Sequence, residues 1–191
     1  MMKLKKVIFS LLAISTLSFV CVIFINQGAS FNKYAPKLLK FEGEGYGIHK
    51  PIWGDKIFTK SEQNLIQNSE NQEIAVWHLW SRKEAVYKIW NRETGIRKYN
   101  PIQFECFDLD SEIGKVQFKS KLYLTRTEIS RNYIYSIAVT KIEDFSKIET
   151  LDNATKIKKI NGIPYYINEN KEITLVSKSN HGRFERLIAK N

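Results

Sequence analysis

Short apolar runs separated by turn residues fill the chain from residue 74 onward, and they constrain its fold more than any other feature. The runs are rich in β-branched and aromatic residues, which strands favour. Their connections are too short for the crossovers that parallel strands need, and Asn161-Gly162 is the strongest hairpin signal among them. The sequence therefore predicts a mainly β fold, an antiparallel meander of about eight to ten strands in a barrel or sandwich.

The first predicted hairpin pairs residues 74–80 with residues 85–90 across a turn at 81–84. In this register both faces of the hairpin are apolar, so it is expected to lie centrally or to meet a partner. Trp77 and Trp90 share one face and are candidate partner-binding residues, with burial in the core as the alternative.

A stripe of lysines marks the predicted strand over residues 115–126. Side chains two apart on a strand point the same way, so Val116 and Phe118 are expected to face the core while the lysines face water. An anionic partner could bind there, although a solvated, aggregation-resistant edge explains the same pattern. The candidate binding residues are Lys115, Lys119, Lys121 and Tyr123, with Lys156 and Lys158 on another predicted strand.

An uncharged apolar stretch follows three lysines at the N-terminus and covers residues 7–25. At about 1.5 Å per residue a helix of this length would nearly cross the hydrocarbon layer of a membrane. Residues 1–30 are therefore predicted to form an N-terminal signal peptide or single-pass signal anchor helix, with Ser30 before a possible cleavage point. Residues 31–73 are interpreted as a tether and lead-in segment, and residues 74–191 as the antiparallel β domain.

The formal net charge of +10 favours anionic partners. Together with the leader it predicts a protein of the cell envelope, either anchored in the cytoplasmic membrane with its C-terminal domain outside or secreted. The expected partners are the membrane, through residues 7–25, and an acidic protein or an anionic envelope polymer; no nucleic acid is expected.

Motifs for catalysis, metal binding or nucleotide binding are not recognisable, so no catalytic residue, metal or cofactor is predicted. His78 and Cys106 are expected to be buried core residues. His181 and Asp108 have no partner that the sequence can identify.

The preferred hypothesis is a non-enzymatic envelope protein with a binding or protective role, such as an immunity or inhibitor protein. One alternative is an envelope hydrolase that cleaves glycan or peptide bonds with His78 or His181 and an acid such as Asp108. Another is a subunit of a secretion or surface complex that docks through Trp77 and Trp90.

Overall fold

The computed structural model describes residues 19–23, 54–130, 133–152, 157–160, 163–167, 173–181 and 184–190. Its α-helices are α1 (Gly54–Ile57), α2 (Lys60–Asn68) and α3 (Gln72–Thr94), and short 3-10 helices cover Pro101–Gln103 and Ile142–Lys147. The strands are β1 (Phe19–Ile23), β2 (Phe104–Cys106), β3 (Gly114–Phe118), β4 (Lys121–Ile129), β5 (Ile134–Val139), β6 (Ile148–Leu151), β7 (Lys158–Ile160), β8 (Ile163–Ile167), β9 (Ile173–His181) and β10 (Phe184–Lys190).

Two antiparallel sheets make up most of the fold. The first has the strand order β1-β5-β4-β3-β2 and the second the order β6-β10-β9-β8-β7. The two sheets meet where β1 lies beside β9 and β10. The prediction of a mainly antiparallel β protein is confirmed, but neither sheet closes into a barrel.

The predicted hairpin over residues 74–90 is wrong, because this segment lies within the 23-residue helix α3. The Asn71 side chain accepts a hydrogen bond from the Ile74 backbone N–H at 3.0 Å and caps the start of the helix. Gly95 ends it in the left-handed conformation, at φ 72°. Both signals are present in the sequence, but the apolar residues between them fit a strand as well as a buried helix.

Burial on nearly every side explains the ambiguous pattern of α3. The helix lies across the first sheet and contacts each of its strands, while α2 packs against another side. Leu79, Val86 and Ile89 are fully buried in the resulting core. A helix of this kind has no wide polar face, so its sequence lacks the usual amphipathic signal.

The predicted single strand over residues 115–126 is a hairpin, in which β3 and β4 join at a turn that includes Lys119, at φ 54°. The turn changes which residues face the core. A single strand would place Leu122 on the core face with Val116 and Phe118, and Tyr123 on the water face with the lysines. In the structure Tyr123 is completely buried and Leu122 is half-exposed.

The predicted membrane span over residues 7–25 is contradicted at its C-terminal end. Phe19–Ile23 form the edge strand β1, which pairs antiparallel with β5. Residues 7–18 lie outside the described residues. None of the helices in the described part of the chain is long and apolar enough to cross a membrane.

Candidate functional site

A buried ion pair fixes α3 to α2. The Lys83 ammonium lies 2.7 Å from the Glu62 carboxylate, and neither side chain is exposed to solvent. Lys83 also donates to the backbone carbonyls of Pro101 at 3.1 Å and Phe104 at 2.5 Å. Glu62 accepts from the Cys106 N–H at 2.7 Å. Because both charges are paired and hydrogen-bonded, they act as a structural connection between the helices and the edge of the first sheet.

Arg82 is buried on another side of α3 and connects the helix to β4 and the loop before β3. Its Nη1 donates to the Asp108 backbone carbonyl at 2.6 Å, and its Nε donates to Thr127 Oγ1 at 3.2 Å. The hydrogen bonds extend further into the core: Thr127 Oγ1 lies 2.8 Å from Ser136 Oγ, which lies 2.6 Å from Ser81 Oγ. This chain of hydrogen bonds fixes the rotation of α3 over the sheet.

Gly114 is required by the position of that guanidinium. A Cβ atom added at Gly114 would lie 2.4 Å from Arg82 Cζ, which is closer than van der Waals contact allows. The absence of a side chain on β3 therefore makes room for Arg82.

The partly exposed side of α3 carries a different set of charges, at four-residue spacing. Glu84 Oε1 and Lys88 Nζ lie 3.5 Å apart, with 32% and 25% of their side chains exposed. Arg92 follows one turn later on the same side. Burial lowers the pKa of Arg92 to about 9, so it is still mainly protonated at neutral pH.

Strand β9 lies opposite this row of charges. Arg92 Nη2 donates to the Val176 carbonyl at 2.7 Å, and Lys88 Nζ lies 3.5 Å from Ser179 Oγ. A carboxylate, two cations and a hydroxyl thus meet between α3 and the second sheet. The two cations suit this place to a phosphate-containing ligand, since lysine and arginine both bind phosphate oxygens.

His78 and Cys106 are placed as buried residues without the properties of reactive groups. Desolvation, followed by the nearby Arg82, lowers the pKa of His78 to about 3, so it is neutral near pH 7. Desolvation raises the pKa of the Cys106 thiol, which opposes thiolate formation. Asp108, proposed to assist a histidine, binds Arg82 instead. His181 lies in β9, and its side chain is outside the described residues.

The predicted binding residues do not form one cluster. Lys115 and Lys121 are exposed, and Lys121 pairs with Glu93 at 2.8 Å. Lys119 Nζ lies 5.7 Å from the centre of the Trp90 ring, which is itself half-buried. Desolvation, with a smaller effect of Glu93, raises the pKa of the buried Tyr123 to about 12.

The remaining predicted binding residues are dispersed. Trp77 is buried in α3, so it forms no exposed patch with Trp90. Lys158 is exposed on β7, and Lys156 lies outside the described residues.

Glu84, Lys88 and Arg92 were not among the binding residues predicted from the sequence. Their regular spacing places them on one side of a helix, but it has no meaning while residues 81–84 are interpreted as a hairpin turn. Across the described stretches from residue 19 to residue 190, no group of three or more histidine, cysteine, aspartate or glutamate side chains could hold a metal ion.

A comparison with protein families connects this geometry to a reaction class. Residues 51–140 match the model of the 4′-phosphopantetheinyl transferase superfamily. The match covers just under half of the chain, from the helices through β5, and therefore includes Glu84, Lys88 and Arg92 but not β9. No curated protein matches the chain.

This match contradicts the predicted non-enzymatic role in the cell envelope, because it points to an enzyme that transfers phosphopantetheine. The alternatives of an envelope hydrolase and of a secretion or surface subunit fall with that role. The same family match also contradicts the predicted localisation in the cell envelope. The predicted partners, namely the membrane, an acidic protein and an envelope polymer, are also wrong, because they were inferred from a position outside the cytoplasmic membrane. The chain is similar over residues 51–140 to phosphopantetheinyl transferases.

Proposed function

We propose that this protein transfers the 4′-phosphopantetheine group of coenzyme A to a serine hydroxyl of a carrier protein. One observation carries the proposal: Glu84, Lys88 and Arg92 form a partly exposed row on α3, within the segment that matches the transferase family. The other charged residues in the middle of this helix, Arg82 and Lys83, are buried in structural contacts. In the middle of α3, the charged residues within reach of a substrate are therefore those of this partly exposed row.

The chemistry of the reaction requires what this row contains. The acceptor oxygen attacks the phosphorus that bears pantetheine, a new P–O bond forms, and the diphosphate P–O bond breaks to release adenosine bisphosphate. Lys88 and Arg92 stabilise the negative charge on the phosphate oxygens. Glu84 is assigned to the proton that the acceptor hydroxyl loses.

The test is transfer by the purified full-length chain. The protein is incubated with coenzyme A, MgCl₂ and a panel of apo acyl carrier proteins, and the mass of each carrier is measured. The expected result is a carrier that gains one phosphopantetheine. Lys88→Ala should reduce the rate by about a hundredfold or more, since it removes a charge that stabilises the transition state.

Lys98→Ala is the matched control, because Lys98 is exposed just beyond the end of α3. It should transfer phosphopantetheine at the rate of the unaltered protein. If the unaltered protein neither binds coenzyme A nor modifies any carrier, the proposal is wrong.

A further inference from the structure

We propose that Ser179 is a positioning residue that holds the Lys88 ammonium in place, so that β9 forms the second wall of the site. The identity of the substrate in this inference rests on the proposed function. The contact itself does not, since it is a feature of the fold. Ser179 lies in the second sheet and outside the segment that matches the transferase family.

The Lys88 side chain reaches between two elements of the fold. Its ammonium lies 3.5 Å from Glu84 Oε1 on its own helix and 3.5 Å from Ser179 Oγ on β9. Ser179 is only 6% exposed, so the surrounding structure restrains its hydroxyl. A long lysine side chain has many rotamers in solution, and oxygens on two sides reduce the number it can adopt before a ligand binds.

Arg92 contacts the strand that presents Ser179, three residues away from that serine. In the described registers, β8 pairs with Ile173–Leu175 of β9, and its pairing ends there. The next residue, Val176, is the one whose carbonyl accepts the 2.7 Å hydrogen bond from Arg92 Nη2. Arg92 therefore contacts β9 at the residue where its pairing with β8 is followed by its pairing with β10, which covers Val176 to His181.

Ser177 provides a matched control on the same strand. It is two residues from Ser179 and therefore points to the same face of β9, and it is also buried. Ser177→Ala removes an equivalent buried hydroxyl while Ser179 keeps its contact with Lys88. Any general effect of such a loss on the strand should appear equally in both variants.

The experiment compares full-length Ser179→Ala, Ser179→Thr and Ser177→Ala with the unaltered protein. The first measurement is the rate at which an amine-reactive acylating reagent labels Lys88, followed by peptide mass spectrometry. The second is the affinity for coenzyme A, measured by calorimetry. Urea unfolding of each variant confirms that the compared samples are folded.

In Ser179→Ala, the reagent should label Lys88 about threefold faster, and coenzyme A should bind about threefold to tenfold more weakly, as expected for the loss of one long hydrogen bond of ordinary strength. Ser179→Thr should restore both values because it keeps the hydroxyl. Ser177→Ala should change neither.

Unchanged labelling of Lys88 in Ser179→Ala would overturn the inference, whatever the effect on coenzyme A. Faster labelling with unchanged coenzyme A affinity would also overturn it, because the contact would not position Lys88 for the substrate. If Ser177→Ala changed the labelling of Lys88 and the affinity for coenzyme A by the same factors, the effect of Ser179→Ala would be a general effect on the strand, and the inference would be wrong. If the unaltered protein bound no coenzyme A, the proposed function would fail, and the substrate named here with it, while the labelling rates would still decide whether Ser179 holds Lys88.

Discussion

Two lysines of α3, only five residues apart, pair with glutamates in very different surroundings. The Lys83–Glu62 pair is fully buried, with its two charged groups 2.7 Å apart. The Lys88–Glu84 pair is partly exposed and 3.5 Å apart. The inner pair holds elements of the core together, whereas the outer pair is within reach of a ligand. The comparison shows that the role of a charged residue in a helix depends on the side of the helix on which it lies: a buried charge supports the structure, and a partly exposed one can bind a ligand.

Removal of one inner charge tests the structural half of this comparison and should have the largest effect. Lys83→Met leaves the buried Glu62 carboxylate without its counter-charge, which should lower the free energy of unfolding by about 3–5 kcal/mol. Urea denaturation measures this difference. Lys98→Met is the control, because Lys98 is exposed. Equal unfolding free energies for the two variants would show that the inner pair has no structural importance.

The space that Gly114 leaves for Arg82 gives the next largest effect. Gly114→Ala should destabilise the fold by about 1–3 kcal/mol, because the new methyl group overlaps the buried guanidinium. Gly95→Ala is a useful comparison, since its φ of 72° strains an alanine although no atom lies within 4 Å of the added Cβ. Thermal unfolding of both variants separates crowding from backbone strain. A Gly114→Ala protein as stable as the unaltered one would contradict the close approach of Arg82.

His78 predicts a smaller effect that depends on pH. Its pKa is 6.5 when unperturbed and about 3 in the folded protein. At a pH between these two values, the His78 imidazole therefore binds a proton in the unfolded state but not in the folded state. The free energy of unfolding should therefore fall as the pH decreases below 6.5, by about 1 kcal/mol per pH unit from this group.

His78→Gln removes this contribution while the acidic residues continue to titrate. The unaltered protein should consequently lose stability more steeply than the variant over that pH range, as measured by urea unfolding at a series of pH values. Parallel curves for the two proteins would indicate that His78 is not shielded from protons in the folded state.

Removal of the outer lysine should have the smallest effect on stability. Lys88→Ala should change the free energy of unfolding by no more than about 0.5 kcal/mol, since partly exposed ion pairs contribute little. The same protein sample should show the loss of transfer described above. A destabilisation similar to that of Lys83→Met would mean that both pairs are structural, and the distinction between them would disappear.

In the second sheet every strand except β6 was predicted from the sequence; β6 lies within residues 144–153, which were predicted to form a helical turn. The strand predicted over residues 163–167 coincides with β8, and the strands predicted over residues 173–177 and 184–189 begin at the same residues as β9 and β10. These strands are short and bounded by turn residues, so local pattern is enough to identify them. In the first sheet, an interior strand predicted over residues 133–142 contains β5, because Ile134–Val139 form an apolar run of typical strand length.

The helix at the centre of the site could not be identified from apolar periodicity. Val76, Trp77 and Trp80 favour strands in isolation, but here the surrounding sheet buries them in a helix. The Asn71 cap and Gly95 were the available signals, and neither is specific when taken alone. Because the helix was not predicted, the site was not predicted either. Its residues Lys88 and Ser179 are brought together only by the packing of two segments that are distant in the sequence.

The pairing of β1 with β5 has a consequence for the order in which the chain assembles. Phe19–Ile23 and Ile134–Ala138 are more than one hundred residues apart in the sequence. During synthesis on the ribosome the N-terminal segment must therefore wait, still apolar and unpaired, until its partner strand has been made. The first sheet can be completed only after β5 has left the ribosome, and until then the unpaired apolar segment is a site at which the growing chain can aggregate.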